Sequence, residues 1–112
     1  MISKEGKVIV NDAKLCRSLF SKAAGLRFRG KPKDACFIFI FDKPQRVMMD
    51  MWFVFYPIDV IFLDKDKRVV EIKEKFLPWS FYSSKKEASY IIEFECGIVI
   101  KNKISIGNTL EF

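Results

Sequence analysis

Six consecutive apolar residues, Cys36-Phe37-Ile38-Phe39-Ile40-Phe41, constrain this chain more than any other feature. They do not alternate with polar residues, so the run suits a strand covered on both faces. The rest of the composition agrees. Aromatic residues make up 15% of the chain and twelve of them are Phe, which favours strands and a bulky core over a helical bundle. At 112 residues the chain has the commonest length of one domain and buries roughly two thirds of its unfolded surface. No linker, repeat or low-complexity segment divides it, so residues 1–112 are read as a single domain.

Punctuation and periodicity give the remaining elements. Lys7-Val8-Ile9-Val10 reads as a short strand. Asn11 or Asp12 is placed to cap a helix from Ala13 to Ala24, with Leu15, Leu19, Ala23 and Leu26 on its buried side. Lys14, Arg17 and Lys22 lie opposite, and Gly25 suits the end of the last turn. After the Cys36–Phe41 run, Asp42-Lys43-Pro44-Gln45 reads as a turn. Val47 to Tyr56 reads as a second long strand that Pro57 interrupts. Ile58 to Leu63 and Arg68 to Glu74 form a hairpin around Asp64–Lys67. Phe76 to Tyr82 is an edge or irregular segment because of Pro78, and Ser83 to Glu87 a loop or helical turn. Tyr90 to Glu95 is a strand, and short strands follow near Ile104 and at Thr109–Phe112, punctuated by Gly97 and Gly107. The expected fold is mainly β (α+β): a small barrel-like or strongly curved antiparallel sheet with one N-terminal helix packed against it.

Several chemistries are excluded by composition. There is no histidine, so Ser-His, Cys-His and His-metal sites are out. Cys16, Cys36 and Cys96 form no CxxC pair, which signals neither a zinc site nor a disulfide framework. No apolar stretch follows the first residues, and Asp50, Pro57 and Asp59 break the most apolar segment, Val47 to Leu63. A cytoplasmic protein without membrane partner, cofactor or metal is therefore expected. Lys outnumbers Arg 15 to 5, a balance typical of hyperthermophiles.

The net charge of +6 is concentrated in residues 1–56. From Ala13 to Lys33 there are seven cations, Lys14, Arg17, Lys22, Arg27, Arg29, Lys31 and Lys33, and no acid. A stretch of one sign raises the local potential and favours an anionic partner, or else serves as a solvated face.

Gly25-Leu26-Arg27-Phe28-Arg29, Phe55-Tyr56-Pro57-Ile58-Asp59-Val60-Ile61-Phe62-Leu63-Asp64, Val69-Val70-Glu71-Ile72, Leu77-Pro78-Trp79, Ile92-Glu93-Phe94, Gly97 and Ile106-Gly107-Asn108 follow one another in an order and spacing that resemble the domain of unknown function 192 family. The resemblance covers nearly the whole chain, and the Pro57–Asp64 block is its most specific part. It implies a small, mainly-β domain of archaea and bacteria and no settled activity. Two departures stand out: Gly107-Asn108 replaces the family's Gly-Asp, and Trp52-Phe53-Val54 replaces a polar Lys-Asn-Thr stretch.

Candidate sites follow from residues that are costly where they stand. Asp59 shares a strand face with Ile61 and Leu63. It is either a scaffold carboxylate, accepting backbone amides or pairing with Arg27 or Arg29, or a ligand contact or general base. The scaffold role is the commoner for a lone buried carboxylate. Glu93 is its one potential catalytic companion. Asp64 and Asp66 flank a turn but lack the rest of a calcium loop. Phe37, Phe39 and Phe41 alternate as on RNA-stacking sheets, yet fit a core strand better. Met48, Met49, Met51, Trp52, Phe53 and Phe55 suit core, an apolar groove or a subunit interface. Trp79, Phe81 and Tyr82 beside Pro78 are placed for exposure, where they can stack a base or a sugar. Cys96 lacks a base to activate it.

The leading expectation is a non-catalytic binding module, monomeric or weakly dimeric. Its basic patch, Lys14, Arg17, Lys22, Lys31 and Lys33, would meet an anionic ligand or nucleic acid. Arg27, Arg29, Asp59, Trp79 and Tyr82 are the candidate ligand contacts. The alternatives are a small-molecule or carbohydrate site at Trp52, Trp79, Phe81 and Tyr82, and a carboxylate enzyme using Asp59 and Glu93.

Overall fold

The computed structural model describes residues 1–16, 35–52 and 54–112, with residues 12–16 and 35 through their backbone alone. Nine strands and one short helix occupy the described residues: β1 (Ile2–Lys4), β2 (Lys7–Val10), β3 (Asp12–Cys16), β4 (Ala35–Gln45), β5 (Met48–Asp50), β6 (Ile58–Leu63), β7 (Val69–Phe76), β8 (Phe81–Ser83), β9 (Ala88–Glu95) and α1 (Ile98–Lys101). The central sheet has the order β3-β4-β9-β6-β7. β3 runs parallel to β4, and the remaining neighbours are antiparallel. Two-stranded sheets β1-β2 and β5-β8 flank it. The expected mainly-β fold is present, without a closed barrel among the described residues.

The unalternating apolar run does what its pattern requires. Cys36 and Ile38 of β4 join a core with Ile61, Leu63, Ile92 and Phe94, closed over by Ile2 and Val10 of the β1-β2 hairpin and by Val99, Ile104 and Leu110. Phe37 and Phe39 point the other way, into a core with Ile58, Val60, Phe62 and Ile91, closed over by Met51, Val54 and Phe76. Phe37 and Phe39 are thus buried side chains and form no stacking surface. Strand β6 is buried along all six of its residues, as a strand covered on both faces must be.

Several expectations are corrected. The helix expected to start at Ala13 does not: Asp12–Cys16 pair in parallel with Ala35–Phe39. The backbone groups on the outer edge of β4 need partners, and a ladder there outweighs weak helical spacing. The remainder of that expected helix, and Arg17, Lys22, Arg27, Arg29, Lys31 and Lys33 with it, lie outside the described residues. Asp42–Gln45 continue β4, with Pro44 inside the irregular stretch of its ladder between Ile40 and Gln45, where a missing N–H is tolerated. The long strand expected from Val47 ends at Asp50. There the Asp50 Oδ1 accepts from the Trp52 N–H at 3.3 Å, and Val54 N–H turns back to the Met51 carbonyl at 3.2 Å. In the C-terminal part, Ile98–Lys101 form a helix, and only single bridges, Arg68 to Thr109 and Ser3 to Glu111, stand where strands were expected. The last bridge is closed both ways, Ser3 N–H to Glu111 carbonyl at 2.9 Å and Glu111 N–H to Ser3 carbonyl at 2.8 Å.

Two buried carboxylates explain how the irregular segments are held. Asp59 is 1% exposed. Its Oδ2 accepts from Gly97 N–H and Val99 N–H, each at 3.0 Å, and its Oδ1 from Lys75 N–H at 3.1 Å. Lys75 has φ +50° and sits where β7 carries an extra residue opposite Ile58–Val60, so its amide turns to a side chain. Gly97 has φ +100° with open space around its missing Cβ, so glycine is there for its backbone freedom alone. The second carboxylate, Glu71, accepts from Lys85 N–H and Lys86 N–H at 2.9 Å and from the Tyr82 hydroxyl. It fixes the 84–87 loop beside β8.

Replacing Asp59 by Ala orphans three amides in the interior. We expect urea denaturation to show a loss of about 3–5 kcal/mol, since each buried unsatisfied amide costs about 1–3 kcal/mol; a loss below about 1 kcal/mol would contradict the scaffold role. Burial, then the hydrogen bond to Glu71 and its charge, push the Tyr82 phenol from 10.0 up to about 12. A group with a raised folded-state pKa stabilises fully below its unfolded pKa and ceases to do so as pH climbs to the folded one. Stability should therefore fall between pH 10.0 and about 12, and Tyr82→Phe should fall less over the same window. Equal slopes for the two proteins in pH-dependent urea unfolding would refute the coupling.

Candidate aromatic binding surface

The β5-β8 ribbon lies over the aromatic core, and its registers, Met49 with Tyr82 and Asp50 with Phe81, decide which rings face out. Met49 and Tyr82 pack inward. Tyr82 lies 6.0 Å from Phe62 and 6.3 Å from Phe76, with its hydroxyl on Glu71. It is a structural residue, which corrects its assignment to an exposed ligand contact. Phe81, one position earlier, is 65% exposed.

The segments on either side of the ribbon are stitched to each other. Met51 N–H donates to the Ser80 carbonyl at 2.7 Å, and Trp79 N–H donates to the Met51 carbonyl at 2.9 Å. Met51 and Val54 are buried beneath. Above them stand Trp52, 44% exposed, Trp79, 46%, and Phe55, 74%. Trp79 is central, 6.0 Å from Trp52 with a 53° tilt and 5.7 Å from Phe55 edge-on at 71°. Three rings with apolar faces thus stand at the surface on a floor anchored in the core.

Trp79 reaches this position in a backbone conformation that suits glycine. Its φ is +59°, the third residue of the Leu77-Pro78-Trp79-Ser80 turn, with Ser80 Oγ donating to the Leu77 carbonyl at 2.6 Å. A bulky side chain in this region costs on the order of 1 kcal/mol, and such strain concentrates where a surface is used. Asp50 and Ser83 stand on the outward side of the same ribbon.

The other candidates separate. Asp59 faces Phe94 across the ladder, on the aliphatic side, whereas Glu93 pairs with Val60 and Phe37, on the aromatic side. The two carboxylates point to opposite faces of the sheet, so they share no cleft and the carboxylate-pair enzyme is ruled out. Glu93 sits near the half-buried Tyr56, whose phenol is raised by burial and then by the Glu93 charge. Asp64 Oδ1 is taken by the amides of Asp66 at 2.9 Å and Arg68 at 3.0 Å, which makes it a turn residue. Asn108, at the family's Gly-Asp position, accepts Ser105 N–H on Oδ1 at 2.8 Å; an amide oxygen serves there as well as a carboxylate. The Met/Phe segment divides: Met51 is core, Met48, Trp52 and Phe55 are surface, and Phe53 lies outside the described residues. Lys14 sits on β3 and not on a helix. Phe55 is the surface ring that was not singled out for the aromatic site; its place just before Tyr56-Pro57 was the available signal.

Comparison with known proteins agrees with this fold. UPF0127 proteins of Thermococcus sibiricus and Pyrococcus abyssi are 33% and 32% identical, each over 96% of this chain and over 70% and 87% of their own lengths. That of Pyrococcus horikoshii is 34% identical over 99% of this chain and 91% of its own. Two crystal structures share the architecture. A protein of unknown function from Novosphingobium aromaticivorans matches with TM-score 0.83 at 24% identity, over 89% of this chain and 74% of its own. A Sinorhizobium meliloti protein, conjectured to be a transcription regulator, matches with TM-score 0.84 at 27% identity, over 88% of this chain and 79% of its own. Residues 1–112 match the family described as DUF192, uncharacterized ACR, and the chain belongs to that family.

Proposed function

We propose that this chain is a non-catalytic binding module that takes a small carbohydrate on the Trp52–Phe55–Trp79 platform. The observation that carries the reading is Trp79, held at φ +59° between two other exposed rings. Sugars present apolar C–H faces to rings and hydroxyls to flanking polar groups, and Asp50 and Ser83 lie on that side of the ribbon. A shallow surface with few polar groups suits recognition without chemistry. The backbone stitching at Met51 holds the rings in place before a ligand arrives, which reduces the ordering cost of binding.

Both tryptophans of the chain belong to the platform, so its intrinsic fluorescence reports this site alone. A panel of gluco-, manno- and chito-oligosaccharides should include one that shifts the emission saturably. Trp79→Gly should reduce that affinity about tenfold or more, equivalent to about 1.4 kcal/mol. Because glycine relieves the strained φ, the same variant should keep its thermal midpoint within a few degrees. A panel without any saturable response, or a Trp79→Gly protein that binds as before, would reject the proposal.

A second reading rests on the seven cations and no acids between Ala13 and Lys33: that segment would contact an anionic partner, nucleic acid first. A labelled oligonucleotide should bind at low salt and weaken steeply as salt rises. Affinity indifferent to salt would remove this reading.

A further inference from the structure

On the side of the molecule closed by the chain ends, the β1-β2 hairpin and the end of α1 enclose a cleft of about 330 Å³ lined by Lys4, Glu5, Lys7, Ile9, Lys101, Asn102 and Lys103. Four of these seven side chains are ammonium groups and one is a carboxylate. Folding brings the four together from the two ends of the sequence. Glu5 and Gly6, at φ +52° and +79°, make the tight turn that sets Lys4 beside Lys7. Lys101 ends the helix and Lys103 follows it.

A helix C-terminus ordinarily presents carbonyl oxygens, which repel anions. Here those oxygens are occupied. The carbonyls of Gly97, Ile98, Val99 and Ile100 accept from the amides of Lys101, Asn102, Ile104 and Lys103. The Lys4 ammonium donates to the carbonyls of Asn102 at 3.0 Å and Lys103 at 2.8 Å. Lys4 therefore offsets the negative end of the helix, and the exposed ammonium groups of Lys7, Lys101 and Lys103 outnumber the single Glu5 carboxylate and set the sign of the cleft. Like charges gathered around a concave, low-dielectric wall focus a positive potential. The cleft is larger than a single phosphate needs and falls at the lower end of small-ligand pockets.

We propose that this cleft is a binding site for a small, multiply charged phosphate anion, such as a di- or triphosphate group. Lys7, Lys101 and Lys103 contact its oxygens, and Lys4 acts as the positioning residue that masks the helix end. Its lining shares no residue with the aromatic platform or with the cations of the 13–33 segment, so the proposal is tested independently of both.

The test is an amide NMR titration of the intact chain with sodium tripolyphosphate at roughly 50 mM salt, with sodium chloride matched for ionic strength as control. Saturable shifts confined to Lys4–Ile9 and Lys101–Lys103 are expected. Lys7→Glu/Lys103→Glu, two exposed positions whose reversal leaves the core untouched, should weaken the affinity about tenfold or more. Lys65→Glu/Lys85→Glu, equal in net charge but on other loops, should leave it within about twofold. Shifts spread over all surface lysines, or equal losses in the two double variants, would show general charge attraction and overturn the proposal. So would an oligonucleotide that perturbs the same amides more tightly than tripolyphosphate, since the occupant would then be an extended polyanion.

Discussion

The carboxylate of Asp59 is the interaction on which the irregular half of the structure depends. Regular strands satisfy their own backbone groups through ladders. A β7 bulge and a helix of four residues cannot, because the bulged amide has left its ladder and the first amides of a helix have no internal partner. One carboxylate, entering from the most deeply covered strand, accepts the stray amides of both at 3.0–3.1 Å. Three neutral donors offset part of the desolvation of the charge, and the charge in turn strengthens each bond. The family's most specific sequence block, around Pro57 to Asp64, is thus explained as architecture.

Glu71 repeats the solution on the other face of the sheet. Its acceptors hold the amides of Lys85 and Lys86 and the Tyr82 hydroxyl. Tyr82 in turn fixes the register of β8 against β5, and that register puts Phe81 outward. The β5-β8 ribbon is therefore tied to a buried acid through Tyr82. Trp79 adds a locally unfavourable conformation, tolerated because the backbone bonds at Met51 over-determine the turn.

Much of this was readable in the sequence, for identifiable reasons. Lys7–Val10, Ile58–Leu63 and the strand ending at Glu95 are rich in β-branched or aromatic residues bounded by turn signals, so local pattern sufficed. Asp59 as an acceptor of backbone amides follows from the cost of a carboxylate among Ile61 and Leu63. The helix Ile98–Lys101 did not show, because Ile-Val-Ile favours a strand and its amide acceptor lies 38 residues earlier at the nearest. Asp12–Cys16 misled because pairing with β4 is a long-range fact that helical spacing cannot express. The separation of Asp59 from Glu93 is a matter of parity: in a strand a one-residue register difference decides the face, and register is absent from composition. The lysine cleft was equally hidden, since its members sit at opposite ends of the chain.

The reciprocal bonds between Ser3 and Glu111 give the aliphatic face a particular folding order. Its cover is made of Ile2 and Val10 from one end of the chain and Val99, Ile104 and Leu110 from the other. Closing a loop of that span is entropically among the most demanding contacts the chain can make. The aromatic face is covered by segments adjacent in sequence to its own strands, such as Met51 and Val54 beside Ile58. The two cores therefore differ in contact order as well as in composition. Because β9 lies between β4 and β6, neither core can close until Ala88–Glu95 has been made, and the aliphatic face waits further still, for Val99, Ile104 and Leu110.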